Sequence, residues 1–168
     1  LFLSQKKDHP EYVLWFFTKL ERLAAYLHIC AKNVNQRIER YAEVIASLQA
    51  PHSKDAPAVS VELTKAEIDE MKEALDGYIK EKTASRRNYL ILRLDSFLSD
   101  GAATYDPTLL TIEHVLPQTV SDGSEWERLW PDPDGRKSWV HRIANLVPLT
   151  QKRISKAQNI DFESKKTA

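Results

Sequence analysis

Glu113 and His114 stand side by side, and Asn145 follows some thirty residues later in a stretch that turns basic. An imidazole with an unperturbed pKa of about 6.5 can take a proton at neutral pH. A carboxylate is a hard oxygen ligand for Mg²⁺ or Mn²⁺. A carboxamide can fix an imidazole by hydrogen bonding, as supporting groups do for metal-bound histidines. Together they could hydrolyse a phosphodiester, which needs an activated water, neutralised phosphate charge and a stabilised leaving oxygen. Each residue alone also has a plainer use: His114 as a hydrogen-bonded core histidine, Glu113 as a solvated strand residue, Asn145 as a turn or cap. Neighbours on a regular strand face opposite sides. Glu113 and His114 therefore share one site only if the strand ends or twists there, which Pro117 allows.

The elements that would carry these residues are legible in the periodicity. Leu109 to Leu116 is apolar, β-branched and closed by Pro117, which predicts a strand. Ile143 to Leu149 predicts a second strand, and Thr150 to Gln158 a short helix. Between the strands, Thr119 to Lys137 is rich in turn residues, with Trp126, Trp130 and Trp139 available to anchor it. Upstream the pattern is helical. Residues 11–31 are apolar around most of a helix and are expected to be well buried. Val34, Ile38, Tyr41, Ile45 and Leu48 line one face of a second helix. A linker spans Ala50 to Ala58. Thr64 and Glu67 form a capping-box pattern for a third helix, and Leu90, Leu94, Phe97 and Leu98 mark a fourth. The expected fold class is α+β, mostly α, with residues 1–105 helical and residues 106–168 carrying the strands and a basic tail.

Composition narrows the classes. Four glycines in 168 residues disfavour a turn-rich all-β fold. Tyr12 to Ala31 is broken by Lys19, Glu21 and Arg22, so no membrane span is expected. The single Cys30 excludes an internal disulfide or a CxxC zinc knuckle and suits a reducing, cytoplasmic setting. Cys30 itself reads as a small core residue. The start at Leu1, directly before an amphipathic pattern, reads as a segment of a longer chain. Net charge is zero, but residues 101–135 hold one basic against seven acidic side chains, and residues 136–168 eight basic against two acidic. That polarity could assemble a metal-and-phosphate site or simply pair internally.

The motif Glu113-His114-Val115-Leu116-Pro117-Gln118 resembles the opening motif of HNH nucleases, in the form used by the C-terminal nuclease domain of GmrSD-like, phosphorothioate-sensing DNA-restriction proteins. Asn145-Leu146-Val147-Pro148-Leu149 resembles their middle motif. Ser155 to Asn159 and Phe162 to Lys166 continue the similarity, as do Lys19 to Ala24 and Asn35 to Tyr41 upstream. The resemblance implies a ββα-metal (HNH) finger after an N-terminal helical bundle, and a metal-dependent endonuclease acting on foreign or modified DNA. His114 would be the general base, Asn145 would hold its ring, and Glu113 would hold Mg²⁺ or Mn²⁺. Arg142, Lys152, Arg153, Lys156, Lys165 and Lys166 would contact DNA phosphates. The resemblance further implies an N-terminal NTP-hydrolysing sensor domain as partner, and a role in antiviral defence.

One position departs from the motif. The third HNH residue falls at Ile154, whose side chain has no donor atom for a hard cation. Asn159 is the substitute if the local register differs. The alternative is a catalytically weakened DNA-binding module, and a third reading is a helical interaction domain without DNA affinity. His141, beside the second motif, could contact phosphate or serve structure.

Overall fold

The computed structural model describes residues 7–49, 59–99, 110–150 and 161–167. It divides into two compact units, Leu1–Ala74 and Leu75–Ala168. Among the described residues it is mostly helical with a small two-stranded antiparallel sheet, the α+β, mostly-α class expected. The linker expected at Ala50 to Ala58 lies outside the described residues.

The first unit contains α1 (Pro10–Ile29), α2 (Val34–Gln49), a 3-10 turn at Val59–Val61 and most of α3 (Lys65–Asp76). Pro10 starts α1, where its missing N–H costs no helical bond. Ala31 ends the turn after α1 in the left-handed region at φ 58°. There the N–H of Lys32 donates to the Leu27 carbonyl and that of Ala31 to the His28 carbonyl, which satisfies the last carbonyls of α1. At α3 the capping box forms as its spacing predicts: Glu67 N–H donates to Thr64 Oγ1 at 3.2 Å, and Thr64 N–H to Glu67 Oε2 at 2.8 Å.

Phe16, Leu23, Tyr26 and Leu27 of α1 pack with Val44 and Val61 as the core of this unit, and Cys30 packs against its edge. α1 is not buried all round, however. Leu14 is 71% exposed and Phe17 is exposed as well, because the elements packed against α1 cover one side of it. Polar groups at the edge of this core are matched. Arg40 reaches Glu67 Oε1 at 2.9 Å and donates to the carbonyls of Ser60 and Glu62, while Lys32 grips both oxygens of Glu70.

The second unit opens with a 3-10 turn (Ile79–Glu81) and α4 (Ala84–Leu98). It continues through β1 (Leu110–His114), α5 (Glu125–Leu129), α6 (Pro133–Trp139), a 3-10 turn (Ile143–Asn145), β2 (Leu146–Thr150) and α7 (Phe162–Thr167). β1 and β2 pair antiparallel, with Ile112 opposite Pro148 and His114 opposite Leu146. Pro148 is tolerated because each strand of a two-stranded sheet is an edge. The second strand starts three residues later than its apolar pattern suggests, since Ile143–Asn145 turn first. Ile79, Ile91, Ile112, Leu116, Trp126 and Leu146 are buried in this unit.

The expected loop from Thr119 to Lys137 contains two short helices. Ser124 caps α5, with its Oγ accepting from Glu127 N–H, while Glu127 reaches back to Gly123 N–H. Asp132 caps α6 and Pro133 starts it. Gly135 permits close packing there: a Cβ would come within 2.7 Å of Asp132 Oδ2. The tryptophans anchor the segment as expected, with Trp126 against Phe162 at 5.9 Å and Trp130 against Trp139 at 6.3 Å.

Candidate active site around His114

The alternation of β1 sets the site. Ile112, His114 and Leu116 are buried, while Glu113 and Val115 are intermediate. His114 keeps only 4% of its surface exposed. Burial first, then electrostatic interaction with Lys80, His141, Lys165 and Arg87, pushes its pKa down to about 4, so the ring is neutral at physiological pH. Gln118 Nε2 lies 3.3 Å from Nδ1 of His114. With the carboxamide donating, Nδ1 carries the lone pair, and Nε2 is buried without a partner among the described residues.

His141 completes the centre. Its ring stands edge-on to that of His114 at 5.5 Å and to Tyr78 at 6.1 Å. Its Nδ1 is likewise buried and unpartnered among the described residues. Its carbonyl accepts from Lys80 N–H at 3.2 Å, which ties the 3-10 turn at Ile79–Glu81 to the segment before β2. Arg87 on α4 donates to the Lys80 carbonyl at 3.2 Å. Lys80 and Arg87 carry no recognisable motif, and sequence reasoning missed both. They face His114 only through the packing of α4 and the turn before it. Burial, then the charge of Arg87, lowers the pKa of Lys80, while Glu113 opposes that shift.

Asn145 does not hold the imidazole. Its Nδ2 donates to the carbonyls of Leu116 at 3.0 Å and Val140 at 2.9 Å, and its Oδ1 accepts from Leu116 N–H at 2.6 Å. Both donor hydrogens are thereby committed. The Asn145 carbonyl also accepts from Val115 N–H at 2.9 Å. Asn145 thus fixes the backbone on which His114 rides, and acts on the ring through the chain.

Lys165 corrects a second expectation. A phosphate contact needs an exposed ammonium, yet this side chain is 8% exposed. Its Nζ donates to the His114 carbonyl at 2.8 Å and lies 3.5 Å from Glu113 Oε1. α7 therefore latches onto the end of β1. Arg142 is also occupied: it pairs with Asp76 at 3.0 Å, donates to the Ser138 carbonyl and lies over Trp139 at 4.9 Å. Lys166 belongs to α7. Lys152, Arg153, Ile154, Lys156 and Asn159 lie outside the described residues.

Glu113 and His114 point to opposite faces of β1, as regular alternation requires. Among the described residues no group of three or more His, Cys, Asp or Glu side chains is arranged to hold a metal ion. The donor chemistry still fits a sparsely held hard cation. Mg²⁺ commonly takes one or two protein carboxylates and completes its shell with phosphate oxygens and water, and Glu113 supplies one partly exposed carboxylate, though on the face of β1 opposite the imidazole.

Beside this centre lies a groove of about 450 Å³, lined by Gln118, Thr119, Arg136, Lys137, Val140 and His141 among others. It meets the buried ring at Gln118 and His141.

A family model described as the C-terminal domain of GmrSD restriction endonucleases matches residues 65–168. The chain belongs to this family. The match begins at the first residue of α3 and takes in both strands, the His114 centre and α7, while the upstream segments Lys19 to Ala24 and Asn35 to Tyr41 fall outside it. No curated protein and no solved structure matches the chain. Among the described residues no helix is long and apolar enough to cross a membrane.

Proposed function

We propose that this GmrSD-family domain is a metal-dependent DNA endonuclease of the HNH type, with His114 as general base. The observation that carries the reading is the state of His114. Its imidazole is neutral, its Nδ1 faces Gln118, and cationic side chains surround it. A neutral ring is the form that can accept a proton. Movement of Gln118 away from Nδ1 opens the place a water would take, and the proton lost by that water goes to Nδ1. Lys80 and Arg87 supply the fixed positive field that favours charge building on a phosphate. Asn145 and Lys165 keep the end of β1 from shifting. Glu113 would hold Mg²⁺ or Mn²⁺, which when bound polarises the phosphate and stabilises the leaving oxygen.

DNA is the proposed substrate and partner, with an N-terminal NTP-hydrolysing sensor domain as the companion that selects foreign or modified DNA. Residues 106–168 would be the nuclease finger and residues 1–105 its helical support. The test is plasmid cleavage in Mn²⁺ by this chain and by its His114→Ala variant. A loss of about a hundredfold or more with DNA binding retained is the expected result. Equal cleavage by both proteins overturns the base assignment. Binding without cleavage by either favours the inactive DNA-binding module, with Ile154 as its cause.

A further inference from the structure

The geometry points to the groove beside His114 as a seat for the phosphodiester that neighbours the scissile one on the same DNA strand, with Lys137 and Arg136 as its cations. The inference rests on the DNA-endonuclease reading and adds to it a binding subsite on residues outside both motifs. Three observations converge.

The first is charge. Residues 101–135 are strongly acidic overall, yet among the described residues lining the groove there is no carboxylate, while Arg136 and Lys137 both reach it. Lys137 is exposed and has no ion-pair partner among the described residues. Arg136 donates to the Trp130 carbonyl, which orients the guanidinium, and it has no ion-pair partner among the described residues. Like-signed side chains brought to one concavity with no counter-charge form an anion site in waiting.

The second is an unmet bond. The Nδ1 of His141 is buried without a partner among the described residues. Buried polar atoms left unpaired are costly and uncommon, so His141, which lines the groove, gains if a shift of its ring turns a protonated Nδ1 toward a ligand oxygen there. A phosphodiester brings two such oxygens, and each nucleoside attached to it has further polar groups.

The third is position and size. Gln118 lies on the groove wall and against His114 Nδ1, so the groove opens beside the atom that takes the proton. Its volume of about 450 Å³ accommodates a nucleotide-sized group and lies within the usual range of small-ligand sites. α6 is held rigidly for the task. Asp132 caps it, Gly135 lets it pack close to Trp130 and Asp132, and Trp139 packs against Trp130 at a tilt. A strand entering here would set one phosphate near His114 and the next between Lys137 and Arg136.

The experiment measures binding of a short labelled DNA duplex in Mn²⁺ across a salt series, in the non-cleaving His114→Ala background. Lys137→Glu is the main variant, because an exposed lysine can be replaced without loss of folding. Lys65→Glu, on α3 and 90% exposed in its side chain, is the control. Lys137→Glu is expected to weaken binding about tenfold or more at low salt, and to reduce the slope of log K against log[salt] by about one. The control should change neither. In the cleaving protein Lys137→Glu should raise KM for DNA with kcat within a few-fold of the unsubstituted value. Arg136→Lys provides a second reading, as it keeps the charge and should retain most of the affinity. If Lys137→Glu binds with unchanged affinity and slope while the parent binds DNA, the groove assignment fails and the nuclease reading stands. If the parent shows no salt-dependent DNA binding at all, both fall together.

Discussion

The two compact units treat buried polarity in opposite ways. In Leu1–Ala74 the inward charges are matched: Glu67 takes Arg40, and Glu70 takes Lys32 together with the hydroxyl of Tyr26. In Leu75–Ala168 lie all the buried side-chain polar atoms that lack a partner among the described residues. They sit on Arg87, Asp95, His114, Glu125 and His141. Three of these residues cluster at one place, where Arg87 and His141 both bear on the charge state of His114. An unpaired buried donor or acceptor costs about 1–3 kcal/mol. A fold keeps such a cost where the groups have work to do, and perturbed ionisation gathers at such places. The first unit matches its charges, whereas the second keeps unmatched polar groups around His114, where the proposed reaction would take place.

The largest test of that contrast is Asn145→Ala. Leu116 N–H, Leu116 C=O and Val140 C=O would all lose a buried partner, for an expected loss of about 4 kcal/mol in urea unfolding. Cleavage should fall with it, since the strand end carrying His114 is released. A loss below about 1 kcal/mol would mean the carboxamide is not the clamp described.

A change of pH reads the ring itself. The folded pKa of His114, near 4, lies below its unfolded value near 6.5, so the unfolded chain binds the extra proton between these values. This contribution to stability is complete above pH 6.5 and is lost as pH falls towards 4. Its size is on the order of 3 kcal/mol. Urea unfolding without divalent metal should show that slope, and His114→Gln should remove it. A slope unchanged by that substitution would move the buried ionisable group elsewhere.

The smallest effect belongs to the first unit. Ala31 pays for a left-handed conformation at φ 58° that glycine adopts freely. Ala31→Gly should stabilise the chain by about 0.5 kcal/mol once the greater freedom of the unfolded glycine is counted. Cleavage should stay unchanged. A gain in stability accompanied by altered cleavage would link the two units, and the contrast drawn between them would need revision.

Much of the fold was legible because its elements carry strong local signals. The capping box at Thr64 and Glu67, the first helix and the β-branched run of β1 all form near where they are expected. α5 and α6 were missed, because Gly and Pro in the same stretch read as turns and masked the caps at Ser124 and Asp132. The directions of side chains were less accessible. Lys165 reads as a solvent-facing phosphate contact in a basic tail, and only the docking of α7 turns it inward onto Glu113 and the His114 carbonyl.

The sequence by itself determined which residues could do chemistry and which family they belong to, because motif spacing is a local property of the chain. It also settled the helical character of the first unit, through a periodicity that one face of a helix must show. Tertiary structure alone decided the charge around His114. Lys80 and Arg87 come from helical segments before β1, and His141 from the turn before β2, and a field depends on distances in space rather than along the chain. It likewise decided that Asn145 secures backbone instead of the ring, since a carboxamide has few bonds to give and the fold had already placed three partners within reach.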